Sequence, residues 1–157
     1  MSTNYYPPAG FHFKVEFLGV KGMDVNNEQR FQDVSGLSFE IETESLKEGG
    51  ENSFEHKLPK RVKYPNLTLK RGLLTNTALI AWFKSAINTY FNVLVLKDFA
   101  PCDIMITLLD EAAAPAAIWN IIQAYPVSWS VSDLKASENA LVVETIVMAY
   151  QYFERKK

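Results

Sequence analysis

Apolar and polar residues alternate along most of this chain, and one stretch breaks that rhythm. Phe11, Phe13, Val15 and Phe17 alternate with His12, Lys14 and Glu16. A period of two places the first set on one face of an extended strand and the second on the other. Leu37, Phe39, Ile41 and Thr43 alternate with Ser38, Glu40, Glu42 and Glu44, which predicts a second strand with an acidic outer face. Leu67 and Leu69 alternate with Asn66, Thr68 and Lys70, in a strand that stops at Gly72. Ile104, Ile106 and Leu108 alternate with Met105, Thr107 and Leu109. Residues 111–115 read as a turn leading into a second arm over 116–123. A short strand carrying Trp129 spans 127–131, and alternation over 141–153 predicts the longest strand.

The exception is helical. Leu79, Trp82, Phe83, Ala86 and Tyr90 fall at i, i+3, i+4, i+7 and i+11, one apolar stripe on a helix that Thr75 or Asn76 can cap. The stripe reads as a core face, and Trp119 joins the predicted core from the strand at 116–123. About seven strands with one helix and no βαβ rhythm predict a mainly β fold, an antiparallel barrel or sandwich with one helix packed on it. No repeat or linker divides the 157 residues, so one domain is expected, with residues 1–10 as an extended arm around Pro7-Pro8.

Composition narrows the function classes. Hydrophobic content of 48% fits a packed core. A net charge of −2 argues against general nucleic-acid binding, which draws on a basic excess. Cys102 is the single cysteine, so no intrachain disulfide can form. The opening MSTNYYPPAG lacks the basic and apolar regions of a signal peptide, and no apolar run is long enough to span a bilayer. His12 and His56 have no partners at metal-ligand spacing. The chain carries no GxSxG, P-loop or GxGxxG, and Asp110-Glu111 reads as a solvated pair in a turn. These readings predict neither an enzyme nor a cofactor site.

Charge is sorted by sign between residues 40 and 71. Glu40, Glu42, Glu44, Glu48, Glu51 and Glu55 face only one base, Lys47; then follow Lys57, Lys60, Arg61, Lys63, Lys70 and Arg71 with no acid. Gly49-Gly50 lies between the arms, so the stretch reads as a long hairpin with an acidic and a basic arm. Such a hairpin suits a subunit that docks head to tail on copies of itself, where one arm meets a neighbour's opposite arm. The plainer reading is a solvated loop whose arms neutralise each other within one chain, as blocks of charge usually are. The docking reading selects Lys47, Glu48, Glu51, Glu55, His56, Lys57, Lys60, Arg61 and Lys63 as subunit-interface residues. The segment 47–64 is then an assembly hairpin with little apolar content, ordered on assembly.

The chain also resembles the tail-tube proteins of contractile phages and phage-tail-like injection systems, which belong with the Hcp protein of type VI secretion. The resemblance is carried by 31–37 (FQDVSGL), 67–72 (LTLKRG), Trp82, 103–111 (DIMITLLDE), 118–126 (IWNIIQAYP) and 132–152 (SDLKASENALVVETIVMAYQY). The segments 5–13 (YYPPAGFHF), 43–59 (TESLKEGGENSFEHKLP) and 150–153 (YQYF) look closest to the second tube protein, similar to tube-initiator rings. The connection at 92–101 and the loop at 19–30 are longer than the family pattern.

The resemblance implies a two-sheet β-barrel with a flanking helix and an extended hairpin. It also implies a homo-hexameric ring stacked into a tube, with tube rings, spike or hub, baseplate and sheath as partners, assembled in the bacterial cytoplasm. An initiator would use Tyr5 and Tyr6 against the hub; a main tube subunit stacked along the shaft is the alternative within the family. A small ligand-binding β-barrel of the lipocalin type is the alternative of another class.

Overall fold

The computed structural model describes residues 12–20, 22, 31–46, 56–74, 77–91, 101–133 and 141–156. Nine strands and one helix follow in the order β1 (His12–Leu18), β2 (Asp33–Ser35), β3 (Glu40–Leu46), β4 (His56–Lys63), β5 (Leu67–Gly72), α1 (Ala78–Phe91), β6 (Cys102–Leu109), β7 (Pro115–Val131), β8 (Val143–Ala149) and β9 (Tyr152–Arg155). Every strand pair is antiparallel. Seven strands run in the order β1-β6-β7-β8-β5-β2 with β9 beside β7, while β3 and β4 form a two-stranded sheet of their own. The fold is mainly β with one helix, as the alternation predicts. The strands β1 and β2 end the path without pairing with each other, so the large sheet does not close into a barrel.

The long β7 joins two sheets. Its first half pairs with β6 and β9, and its second half, from Tyr125, pairs with β8. The corner lies at Gln123, which has φ of 55°, a left-handed conformation rare outside glycine. The backbone N–H released there donates to Asp103 Oδ1 at 2.9 Å. A register shift between Pro126 and Ser128 completes the bend. The two arms expected at 116–123 and 127–131 are therefore one bent strand. Conversely, the single strand expected over 141–153 is two, because the chain leaves β8 after Ala149 and re-enters the sheet at Tyr152.

The core follows from the period of two. On β5, Leu67, Leu69 and Arg71 point inward; on β8, Met148, Ile146 and Glu144 lie directly opposite them, all buried. Val15, Ile104, Ile106 and Ile121 extend the core across β1, β6 and β7. Each fully buried aliphatic side chain of this size contributes about 1.5–3 kcal/mol. The helix adds Leu79, Phe83 and Ala86. Trp82 is only partly buried, resting edge-on against Phe17 and Phe83, and Trp119 likewise packs on the core from outside. The Tyr90 side chain lies outside the described residues. The helix cap is Thr77, whose Oγ1 accepts from the Ile80 N–H at 3.3 Å, one step beyond the Thr75 or Asn76 anticipated.

Two further local expectations change. The Asp110 carboxylate is not simply solvated: it accepts from the N–H groups of Ala112 and Ala114 at 2.9 and 2.8 Å and so organises the turn before β7. Lys70 and Arg71 do not belong to the charged hairpin. Both are in β5 of the large sheet, where Lys70 pairs with Asp33 across the strands at 3.2 Å and Arg71 is buried.

Candidate functional site

The hairpin of β3 and β4 is inserted between β2 and β5, two strands that themselves pair antiparallel. Within it Glu40 opposes Lys63, Ile41 opposes Val62, and a bulge between Ile41 and Thr43 shifts the register so that Thr43 opposes Pro59. Pro59 has no N–H to give to the ladder, and a bulged, exposed ribbon is where a strand proline is tolerated. No other described strand or helix packs against these two strands.

Its charges pair within the chain. Arg61 Nε lies 2.6 Å from Glu42 Oε2, and Lys60 Nζ lies 3.1 Å from Glu44 Oε2. The hydrogen bond from Arg61 is the main reason the Glu42 carboxyl sits below its ordinary value, and the same bond raises Arg61. Exposed pairs of this kind contribute little to stability. Thus Lys60 and Arg61, named from sequence as interface residues, engage the acidic arm of their own chain. His56, Lys57 and Lys63 are exposed on β4. Lys47, Glu48, Glu51, Glu55, Tyr5 and Tyr6 lie outside the described residues, as do the loop over 23–30, the connection over 92–100 and Gly49-Gly50.

Beside its charges the described part of the ribbon carries large apolar side chains, Leu58 and Val62 of them within 47–64. Leu58 and Val62 on β4 are about half exposed, and so are Ile41 and Leu46 on β3; Phe39 at the base is more exposed still, at 61%. The signal was present in the alternation Leu37, Phe39, Ile41, which reads as one inward face, but only Leu37 reaches the core. A ribbon with five large apolar side chains exposed, and no other described strand or helix to cover them, is suited to burial against a partner.

The neck of the hairpin is anchored by residues that site reasoning missed. Gly36 has φ of 95°, and a Cβ there would lie 2.1 Å from the Asn66 carbonyl oxygen, so only glycine fits. The Tyr150 hydroxyl donates to the Gly36 carbonyl at 3.0 Å. Tyr64, at the other side of the neck, packs its ring on Tyr150 and on Phe153, both with centroids 5.8 Å away. Burial, then the neighbouring Tyr64, pushes the Tyr150 phenol up to about 12, so it remains a donor at all physiological pH.

Elsewhere the chemistry is quiet. Burial pushes the Cys102 thiol up to about 12. Among the described residues no three His, Cys, Asp or Glu side chains group as metal ligands, and no helix is long and apolar enough to cross a membrane. A groove of about 200 Å³ lies between α1 and β7, lined by Phe83, Ala86, Ile87, Val127 and Trp129. It presents apolar surface without a cluster of reactive groups.

Comparison with known proteins gives the framework for this ribbon. A chain of the anti-feeding prophage (AFP) baseplate has 27% identity and a TM-score of 0.73, covering 99% of this chain and 97% of that one. A chain of the PVC extracellular contractile injection system, in the extended sheath-tube complex, gives a TM-score of 0.75 at 24% identity, with 99% and 98% covered. Hcp1 from Flavobacterium johnsoniae shares the fold at 14% identity and a TM-score of 0.53, with 92% and 94% covered. No curated protein is matched by this sequence. The profile of the T4-like virus tail tube protein gp19 matches residues 9–154. That span takes in both sheets, the helix and the hairpin, and the chain belongs to this tail tube family, a structural protein of the contractile injection system type.

Proposed function

We propose that this chain is a single tail-tube-like domain that forms a homo-hexameric ring of the inner tube, and that this ring is the initiator joining spike and baseplate to the tube. The observation that carries ring and tube formation is the free-standing β3–β4 ribbon. It projects paired charges and five large apolar side chains that no other described strand or helix covers. A neighbouring subunit that covers Ile41, Leu46, Leu58 and Val62 would supply the hydrophobic gain, while the charged rows set register and encounter rate. On this reading the interface extends through Lys47, Glu48, Glu51, Glu55, His56, Lys57, Lys60, Arg61 and Lys63. Tyr5 and Tyr6 of the Pro7-Pro8 arm then pack on the hub. The chain has no enzymatic role, and assembly takes place in the bacterial cytoplasm, with sheath and neighbouring tube rings as further partners.

Electron microscopy and native mass spectrometry at high concentration test the ring. Six-membered rings support it, and a strict monomer even with spike and sheath proteins present overturns it. The initiator assignment is supported by the likeness to the AFP baseplate chain and by the segments 5–13 and 43–59. The similar likeness to the PVC sheath-tube chain favours a second reading, a main tube subunit. Counting copies per particle separates them. One ring beside the spike is expected; many rings along the shaft select the main tube.

A further inference from the structure

We infer that Tyr150 is a clasp that sets the direction in which the β3–β4 ribbon leaves the sheet, and so positions it for a neighbouring subunit. The second half of this inference rests on the docking role proposed above; the first half does not. Two segments lead into the ribbon, residues 36–39 from β2 and residues 64–66 to β5. Tyr150 holds both. Its hydroxyl donates to the Gly36 carbonyl at 3.0 Å, on the incoming segment. Its ring packs against Tyr64, on the outgoing segment, with centroids 5.8 Å apart. Phe153 supports the arrangement from β9, 6.3 Å from Tyr150 and 5.8 Å from Tyr64.

Geometry makes this clasp decisive. Among the described elements none touches β3 and β4 beyond the neck, so the described contacts that set the ribbon's direction are those at the neck. Gly36 passes against the Asn66 carbonyl, which pinches the two segments together. Tyr150, at the break between β8 and β9, ties both segments to the sheet, beside Leu37, which packs on the core, and Tyr64, which packs on Phe153. The break lies opposite the corner of β7, between the pairs Tyr125–Ala149 and Ile122–Tyr152. A hydroxyl that stays protonated and an aromatic contact do not respond to salt, unlike the ribbon's ion pairs. Its direction therefore holds under conditions that screen its charges.

Spin-label distance measurements on the full-length chain test the inference. Labels are placed at cysteines substituted for Ser45 on β3 and Ser130 on β7, both exposed. Cys102 is 5% exposed and does not compete for label. The wild-type background should give one narrow distance distribution. Tyr150→Phe keeps the ring and removes the hydroxyl. Loss of one hydrogen bond shifts the clasped-to-free ratio by about two- to tenfold, which broadens the distribution. Tyr150→Leu removes both contacts and broadens it further, while circular dichroism reports whether the sheet persists. A distribution as narrow in Tyr150→Phe as in wild type, or as broad in wild type as in Tyr150→Leu, overturns the clasp. Ring formation by the same variants is a separate readout. A broadened ribbon that still forms rings normally leaves the clasp standing and sinks its role in docking.

Discussion

Arg71 and Glu144 face each other directly across β5 and β8 and form an ion pair with both side chains buried. Around it, Trp129 Nε1 donates to Glu144 Oε2 at 3.0 Å, and the Arg71 guanidinium lies 5.1 Å above the Phe31 ring. Desolvating two charges is costly, so the pair as a whole adds little net stability. Removing one partner is another matter, since the remaining charge stays buried. Glu144→Leu or Arg71→Met should each destabilise by about 3–5 kcal/mol, and Arg71→Met with Glu144→Leu should recover most of that loss. Urea unfolding of the two single variants and the double variant measures the coupling. Additive losses would mean that the two side chains do not act as a pair.

Gly36 and Gly19 share φ of 95° but differ in surroundings. A Cβ on Gly19 meets nothing within 4 Å, whereas on Gly36 it would lie 2.1 Å from the Asn66 carbonyl oxygen. Gly19→Ala should therefore cost only the backbone strain, about 1–3 kcal/mol. Gly36→Ala adds a clash with main chain that cannot step aside, and should cost clearly more. Equal losses in chemical denaturation would mean that the neck relaxes freely.

These residues show what the sequence made legible. Strand positions, the helix and the inward faces of β5 and β8 follow from alternation, because burial imposes a period that polar residues mark on the other face. The segments that carried the family resemblance, VSGL and TLKRG, contain Gly36 and Arg71. Their roles, a pinched neck and a buried ion pair, depend on Asn66, Tyr150 and Glu144, up to 114 residues away for the Tyr150–Gly36 bond. No local pattern reveals a partner at that separation. Arg71 counted as surface charge for the same reason: its burial is decided by Glu144, not by its neighbours Lys70 and Gly72. The bend in β7 was likewise hidden, since a left-handed Gln123 has no compositional mark.

Phe83 and Trp82 are adjacent on α1 but are not equivalent. Phe83 is buried, 7% exposed, while Trp82 packs on the core from its margin. Phe83→Ala should cost about 3–5 kcal/mol, as full truncation of a core aromatic does. Trp82→Ala should cost less, about 2–3 kcal/mol, because part of its surface stays in water. Thermal or denaturant unfolding ranks them. A larger loss for Trp82 would place the principal helix anchor on Phe17 and its edge-on contact with Trp82.

The Glu42–Arg61 pair should be pH-dependent in a known direction. The Glu42 carboxyl is lowered from 4.5 in the folded ribbon, chiefly by its hydrogen bond with Arg61. A lowered carboxylate contributes stability that is present above its unfolded value and lost as pH falls through the folded one. The Glu42–Arg61 pair should thus be intact above the ordinary glutamate range and be lost as pH falls below it. Side-chain NMR titration of Glu42 checks this. A midpoint at or above 4.5 would mean that the bond to Arg61 is absent in solution.

The sharpest test concerns what the sorted charges are for. Two readings remain: the arms neutralise each other within one chain, or they also meet a neighbour's arms. Lys60→Glu with Arg61→Glu removes both in-chain pairs and leaves four acids where two pairs stood. Because these groups are exposed, the unfolding midpoint of the monomer should hardly move, whereas assembly should be lost under either reading. The full exchange decides. Adding Glu42→Arg and Glu44→Lys restores the in-chain pairs with the signs reversed. Such a subunit is complementary to itself, so it should assemble alone under both readings. Mixed with wild type it differs: a reversed β4 arm beside a wild-type β3 arm sets acid against acid, which is repulsive at close range. If the arms meet between subunits, the two proteins should sort into separate rings at low salt and mix as salt rises. If the arms serve only their own ribbon, mixed rings should form at every salt concentration. Native mass spectrometry of the mixture, with one protein isotopically labelled, reads the outcome directly.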